Sequence, residues 1–328
     1  MKRREFMTLL GGVAALLPRA ARAQQAGKIS RIGYLGISSL AMEPHYVDAF
    51  RQKLRELGHL DGENIAIEYR WAEGQDDRLP TLAAELVRLK PDVIVTTGTP
   101  GALAVMQATQ TIPIVMASSA DPVRAGLVTN LARPGGNVTG FTIRGAELEG
   151  KRLEFLKQAV PELARVAVIW NPNNLAIVAN FETIKIAARA LGITLDPITE
   201  VRRADELDNA FAVIAGARPQ ALAVVADRFL LSQRKRIVEF ASANRLSSMY
   251  PYREYVAAGG LMSFAPSDVE LFRGAATYVD KILNGAKPGD LPVQEPVRFE
   301  LVINLKTAKA IGIDVSTSLL LRADELIE

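Results

Sequence analysis

The chain has 328 residues, no cysteine, two histidines, and 39 Lys or Arg against 36 Asp or Glu. That composition excludes disulfides, thiol chemistry, thiolate metal sites and a cysteine-borne lipid anchor. The first 23 residues hold five of the basic residues and one acidic residue. The remainder therefore carries 34 against 35, a formal charge of −1, and has no global electrostatic reason to bind nucleic acid or an anionic membrane.

The N-terminus has three parts. Lys2-Arg3-Arg4 is basic, Met7 to Leu17 is apolar but too short to span a bilayer, and Ala21-Arg22-Ala23 is a small-x-small cleavage site. Residues 1–23 are therefore expected to be an export signal cut after Ala23, and Arg3-Arg4 resembles the twin-arginine class. The general secretory route remains the alternative, because Lys2 stands where Ser or Thr is usual.

The rest of the chain is built twice. Arg31-Ile32-Gly33-Tyr34-Leu35 opens one copy and Arg165-Val166-Ala167-Val168-Ile169 the other, 134 residues on, and each is followed by a helical pattern ending in Leu-Gly, at Leu57-Gly58 and Leu191-Gly192. Val47, Phe50, Leu54 and Leu57 form an apolar stripe at helical spacing, as do Phe181, Ile184, Ala188 and Leu191. Each copy continues with a short strand (Ile65 to Tyr69; Ile193 to Ile198), an amphipathic helix, and a third apolar run after Pro91 or Pro219. Strands alternating with helices predict parallel sheets covered on both faces, which explains the unbroken apolar runs at Val93 to Val95, Ile112 to Ala117 and Leu222 to Ala226. The turn Ala132 to Asn137 and the strand Val138 to Ile143 lead out of the first copy into a helix at Glu147 to Ala159.

Two later elements exceed the repeat: a helix at Val269 to Leu283 after Ala258 to Phe264, and a last strand at Val297 to Ile303. They predict three crossings between lobes, near 142–145, 264–267 and 293–296. The expected fold is α/β, two Rossmann-like lobes with parallel sheets joined by a three-crossover hinge. The first lobe is 28–142 plus 266–293, and the second is 143–265 plus 294–328.

In open α/β sheets ligands sit beyond the carboxyl ends of the strands, so two facing lobes define one cleft. The loops placed there are polar. Ser38 and Ser39 follow the first strand, Thr97-Gly98-Thr99-Pro100 the third, and Ser118-Ser119 the fourth. Thr99-Pro100-Gly101 also reads as an N-cap with proline at the first helical position, offering amides and hydroxyls to a carboxylate. From the second lobe, Asn171, Asp227 and Tyr250 follow strands; Asp227 is the expected acceptor for an ammonium, while Tyr250 and Phe141 are expected to flank an apolar or aromatic side chain. Asp121-Pro122 reads as a structural cap, Asp92 lies at the wrong end of its strand, and Tyr69 and Trp71 are expected to pack on a lobe surface.

Catalytic readings find little support. His45 and His59 fall at a helix start and in a turn and are expected on the surface, no metal cluster is visible, and neither Gly-x-x-x-x-Gly-Lys-Ser/Thr nor a strand-linked Gly-x-Gly-x-x-Gly occurs. No catalytic residue, metal or cofactor is predicted. Asn137-Val138-Thr139 matches a glycosylation acceptor, but its glycine-rich turn explains it better.

Thr-Thr-Gly-Thr-Pro (96–100), Ala-Ser-Ser-Ala-Asp-Pro-Val (117–123), Arg-Pro-Gly-Gly-Asn-Val-Thr-Gly (133–140), Ala-Asp-Arg (226–228) and Phe-Glu-Leu-Val-Ile-Asn-Leu-Lys-Thr-Ala-Lys (299–309) occur in this order. The pattern resembles the ABC-importer substrate-binding proteins that include tryptophan-binding lipoproteins, over essentially all of 28–328. The resemblance implies a type I periplasmic binding fold, a small-molecule ligand, and importer permease and ATPase subunits as partners. It moves the expected ligand toward aromatic or branched amino acids, within the wider class of amino acids and related small carboxylates. Lacking the lipidation cysteine, the chain is expected to be a soluble periplasmic monomer that binds no nucleic acid. A two-lobed cleft enzyme, such as a racemase or hydrolase, and a ligand-sensing module for a membrane receptor are the competing readings.

Overall fold

The computed structural model describes residues 29–328. The expected export signal, with Arg3-Arg4 and the Ala23 cleavage site, lies outside the described residues. Two sheets organise the chain. The first has five strands in the order β2-β1-β3-β4-β5: β1 (Ser30–Gly36), β2 (Ile65–Trp71), β3 (Val93–Thr97), β4 (Ile114–Ser118) and β5 (Val138–Gly140), all parallel.

The second has seven strands, in the order β12-β11-β10-β9-β8-β6-β7. They are β6 (Arg165–Trp170), β7 (Thr194–Glu200), β8 (Ala221–Val224), β9 (Ser247–Tyr250), β10 (Met262–Pro266), β11 (Phe299–Asn304) and β12 (Glu325–Ile327). It is not wholly parallel, as the repeat predicts: β11 pairs antiparallel with β10, and β12 runs with β11. Strand β11 enters after the last crossing and not from a helix of the second lobe, so no βαβ unit constrains its direction.

The duplication is visible at the backbone. In the first lobe Gly58 (φ +87°) follows the helix Pro44–Glu56 and donates to the Arg55 carbonyl, while the His59 N–H returns to Leu54. In the second lobe Gly192 (φ +66°) donates to Arg189 and Ile193 N–H returns to Ala188. Both are Schellman endings, in which a glycine accepts the left-handed conformation that lets the next chain segment turn back toward the sheet. Tyr46, Val47, Ala49, Phe50 and Leu54 form the buried face of the first of these helices.

The helix Asp268–Leu283 packs against the Pro44–Glu56 helix and the first sheet, although β10, which precedes it, belongs to the second. Tyr46 and Phe272 stack at 5.1 Å across that helix pair. The chain passes between the sheets three times: after β5, between β10 and this helix, and between Gln294 and β11. At the last passage Gln294 N–H donates to the Gly140 carbonyl and Thr142 N–H donates to Gln294, so two of the three connections are hydrogen-bonded to each other. Among the described residues no helix is long and apolar enough to cross a membrane.

Candidate functional site

The carboxyl ends of both parallel sets converge on a small cavity between the lobes. The first lobe contributes Ile37 after β1, Asp76 in the turn after β2, Gly98, Thr99 and Pro100 after β3, and Ser118, Ser119 and Ala120 after β4. The second contributes Asn174 after β6, Ala226 to Phe229 after β8, and Tyr252 after β9.

One wall is rich in donors. Helix Gly98–Ala108 begins there, with Thr97 at its N-cap and Gly98 at φ +68°. The cap is therefore two residues earlier than the Thr99-Pro100 signature predicts. Thr97 does not cap with its side chain; its hydroxyl accepts the Ile37 N–H at 3.3 Å and ties β1 to the helix. Thr99 is freed to face the cavity, where its hydroxyl meets Ser119 Oγ at 3.0 Å and accepts the Ala120 N–H at 3.2 Å. The first-turn amides and these hydroxyls can receive a carboxylate.

The facing wall is built on Asp227, which caps the short helix Arg228–Ser232 by accepting the Leu230 N–H at 3.0 Å. Asn171 and Asn174 donate their side-chain amides to its two oxygens at 3.3 and 3.0 Å. Burial pushes its carboxyl above the ordinary range, and the amides of Asn174, Leu230 and Asn171 pull it back only in part. The loop is held from behind by Glu149, which accepts the Ala226 N–H at 3.2 Å and pairs with buried Arg152 at 2.6 Å.

A second cluster bridges the lobes beside the cavity. Arg228 pairs with Glu43 at 3.1 Å and with Asp268 at 2.9 Å, donates to Ser118 Oγ at 3.4 Å, and lies over the Tyr252 and Tyr46 rings at 4.5 and 5.6 Å. Burial alone would lower its pKa, but Asp268, Tyr252 and Glu43 hold it well above the usual value. Glu254 of the second lobe binds His45 at 3.0 Å and the Tyr46 hydroxyl of the first. His45 thus sits at the lobe interface, where the sequence predicts a surface role. His59 is half-buried and pairs with Asp280 at 2.8 Å. These bridges make the arrangement a closed one.

The structure brings together part of the expected set. Gly98, Thr99, Ser118, Ser119 and Asp227 line the cavity. Thr97 and Asn171 stand one layer back and fix lining residues. Ser38 is buried after β1, and Ser39 accepts the Met42 and Glu43 N–H groups with its carbonyl, shaping the turn before the first helix. Two expected residues lie elsewhere. Tyr250 is stacked on Tyr255 at 4.6 Å inside the second lobe, and Phe141 packs on Tyr278 at 5.1 Å and against Gly274 near the hinge.

The aromatic groups that do line the cavity are Tyr252 and Phe229. Tyr250 is the last residue of β9, and Tyr252 stands two positions further on. The expectation missed Asp76, Asn174 and Phe229, and it chose Asp227 and Tyr250 over their strand-end neighbours Arg228 and Tyr252. Asp76 follows β2 and could have been found by the same end-of-strand rule that located the other loops. Asn137, read as a turn residue, donates to the Thr109 and Ile112 carbonyls.

Two parallel-sheet lobes, three crossings and a polar cavity at the facing strand ends define a cleft-binding protein of the type I periplasmic binding fold. The chain belongs to the ABC transporter substrate binding protein family, whose sequence model matches residues 37–327. It is similar to the Tyrosine-binding protein of Clostridioides difficile (strain R20291), 29% identical over 280 residues that cover 84% of this chain and 80% of that one. Among solved structures it is similar to the ABC domain in complex with L-Trp from Streptococcus pneumoniae, at 26% identity and TM-score 0.85, covering 92% of this chain and 100% of that one. A conserved domain protein from Vibrio cholerae O1 biovar eltor is 28% identical with a TM-score of 0.86, covering 91% of this chain and 100% of that one. The family is one of binding proteins, which take up a small ligand and work with ABC permease and ATPase subunits.

Proposed function

We propose that the protein is the soluble, monomeric receptor of an ABC importer and that its cleft carries an amino acid, with an aromatic side chain favoured. The observation that carries this reading is the division of the cavity: Thr99, Ser119 and the start of the Gly98–Ala108 helix offer donors on one side, and Asp227 offers an acceptor on the other. A zwitterion needs both. Phe229 and Tyr252 supply apolar faces between them, and the similar proteins named for tyrosine and solved with L-Trp point to the same class. Ligand contacts to both lobes exist together only in the closed form, so binding draws the lobes together.

Calorimetry with L-Trp, L-Tyr, L-Phe, branched amino acids and sugars tests the ligand class, and mass spectrometry of released ligand tests that it leaves unchanged. Asp227→Asn keeps a good N-cap residue but removes the charge, and is expected to weaken amino-acid binding by about 1–3 kcal/mol. Binding of a sugar but no amino acid, or equal affinity in that variant, overturns the assignment. Solution scattering should show compaction on saturation with the ligand.

Export through the twin-arginine route, with cleavage after Ala23, would deliver the protein to the periplasm, where an importer's receptor works. Replacing Arg3 and Arg4 by lysine is then expected to abolish export. Normal export of that variant would assign the general secretory route.

A further inference from the structure

The cavity holds more acceptors than the protein itself satisfies. Asn174 is 6% exposed, and its Nδ2 is committed to Asp227 Oδ2 at 3.0 Å, which leaves its Oδ1 buried with no hydrogen-bond partner. Because the carboxylate accepts and the amide nitrogen donates, that contact fixes which end of Asn174 is free. Across the cavity, on the other lobe, Asp76 has its own Oδ1 buried and without a partner. The cation lining the cavity, Arg228, is already held by Glu43 and Asp268. Glu43 and Asp268 therefore occupy this guanidinium, and among the described residues neither Asp76 nor Asp227 has an ion-pair partner.

We propose that Asp76, Asn174 and Asp227 form an ammonium cradle spanning the two lobes, so that the site selects ligands by a primary amine and that amine links the lobes. The inference rests on the reading of this cleft as an amino-acid site and adds the residues that read the amine. A primary ammonium carries three N–H donors, which matches three acceptor groups from three separate loops. Charge-assisted contacts of this kind are the strong ones, and an acceptor left unmade in a closed cavity is costly. The division between lobes matters as much as the count. Asp227 and Asn174 belong to the second lobe and can hold an amine in the open form; Asp76 reaches it only on closure.

The state of Asp76 agrees with this geometry. Burial, then Asp227 across the cavity and Asp77 beside it, push its carboxyl up to about 7. With its pKa raised, ionising Asp76 costs the folded, empty protein stability as pH rises through that value. An ammonium between the carboxylates reverses the effect, so amine binding near neutral pH releases a proton.

The test compares L-tyrosine, tyramine and 3-(4-hydroxyphenyl)propanoate, which share a ring and differ in amine and carboxylate, on the wild-type protein and on Asp76→Asn. Wild-type protein is expected to favour tyrosine over the des-amino acid by roughly 100-fold. Asp76→Asn is expected to weaken tyrosine and tyramine by roughly 10- to 100-fold while leaving the des-amino acid unchanged. Titrations in buffers of different ionisation enthalpy should show proton release with tyrosine at pH 7 in the wild type and less in the variant. The variant without ligand should also melt higher than wild type at pH 8, with the difference shrinking toward pH 4. Equal weakening of all three ligands, or equal wild-type affinity for tyrosine and its des-amino analogue, overturns the cradle and leaves the amino-acid reading to the panel above. Binding of tyramine that depends on Asp76, without binding of tyrosine, supports the cradle and overturns the amino-acid reading instead.

Discussion

Arg228→Met is expected to leave the protein folded but resting open. Arg228 is 4% exposed and is the shared partner of Glu43, at 0%, and Asp268, at 7%. Removing one member of a buried ionic cluster strands the others, at a cost of about 3–5 kcal/mol. Unfolding is not the cheapest relief. Glu43 lies on the first lobe and Arg228 on the second, so parting the lobes returns both carboxylates to water without dismantling either sheet. At a ligand concentration that saturates wild type, scattering should therefore show a larger radius of gyration for this variant than for wild type, with a fall in melting temperature smaller than the full penalty would give. Ligand affinity should drop as well, because binding must now close the lobes over two unpaired carboxylates. Adding Glu43→Gln and Asp268→Asn should recover part of both losses, since neutral amides tolerate burial better than lone charges. A compact Arg228→Met protein with unchanged affinity would mean that the cluster does not govern closure.

Gly140→Ala is expected to destabilise the first lobe by roughly 4 kcal/mol or more, in the class of changes tied to backbone conformation and steric exclusion. Gly140 has φ +130°, which L side chains rarely adopt, and an added Cβ would lie 2.1 Å from the Met116 carbonyl oxygen and 2.6 Å from its nitrogen. Both are backbone atoms of β4, so no side-chain rotamer can make room. The same peptide accepts the Gln294 N–H at 2.9 Å, where the last crossing meets the first. Thermal denaturation and hydrogen exchange of β4 and β5 are the measurements. Wild-type stability would show that the β5 edge can shift without loss. By contrast Gly58, at φ +87° with nothing within 4 Å of an added Cβ, is constrained by conformation alone and should cost less on the same substitution.

The two clusters at the cleft do different work. The Arg228 bridge stabilises the closed form through groups of the protein itself, whereas Asn174 and Asp76 leave acceptors for a ligand beside the Asp227 carboxylate. A receptor that bridged its lobes only through its own side chains would close as readily without cargo. One that relied only on cargo would lose the preorganisation that makes the closed pocket tight.

The sequence by itself determined the architecture. Apolar runs too long for one-sided strands, helical stripes of matching length, and two Leu-Gly endings at the same interval leave little but paired parallel lobes, because each signal is local and has a backbone cause. It also located the loops of the site, since Thr97 and Ser118 at strand ends and Asp227 just beyond β8 mark where polar groups follow apolar runs. Direction in the sheet was not local. Nothing in Phe299–Asn304 distinguishes a parallel from an antiparallel strand, and β11 takes its sense from how the last crossing delivers it.

Choosing among neighbours within a loop likewise needed the tertiary structure. Tyr250 and Tyr252 are two residues apart and chemically identical, yet one is sealed against Tyr255 while the other lines the cavity over Arg228. The approach of the Asp76 carboxyl to Asp227 brings together residues 151 positions apart in different lobes. That proximity is made between the two lobes, and no spacing along the chain records it.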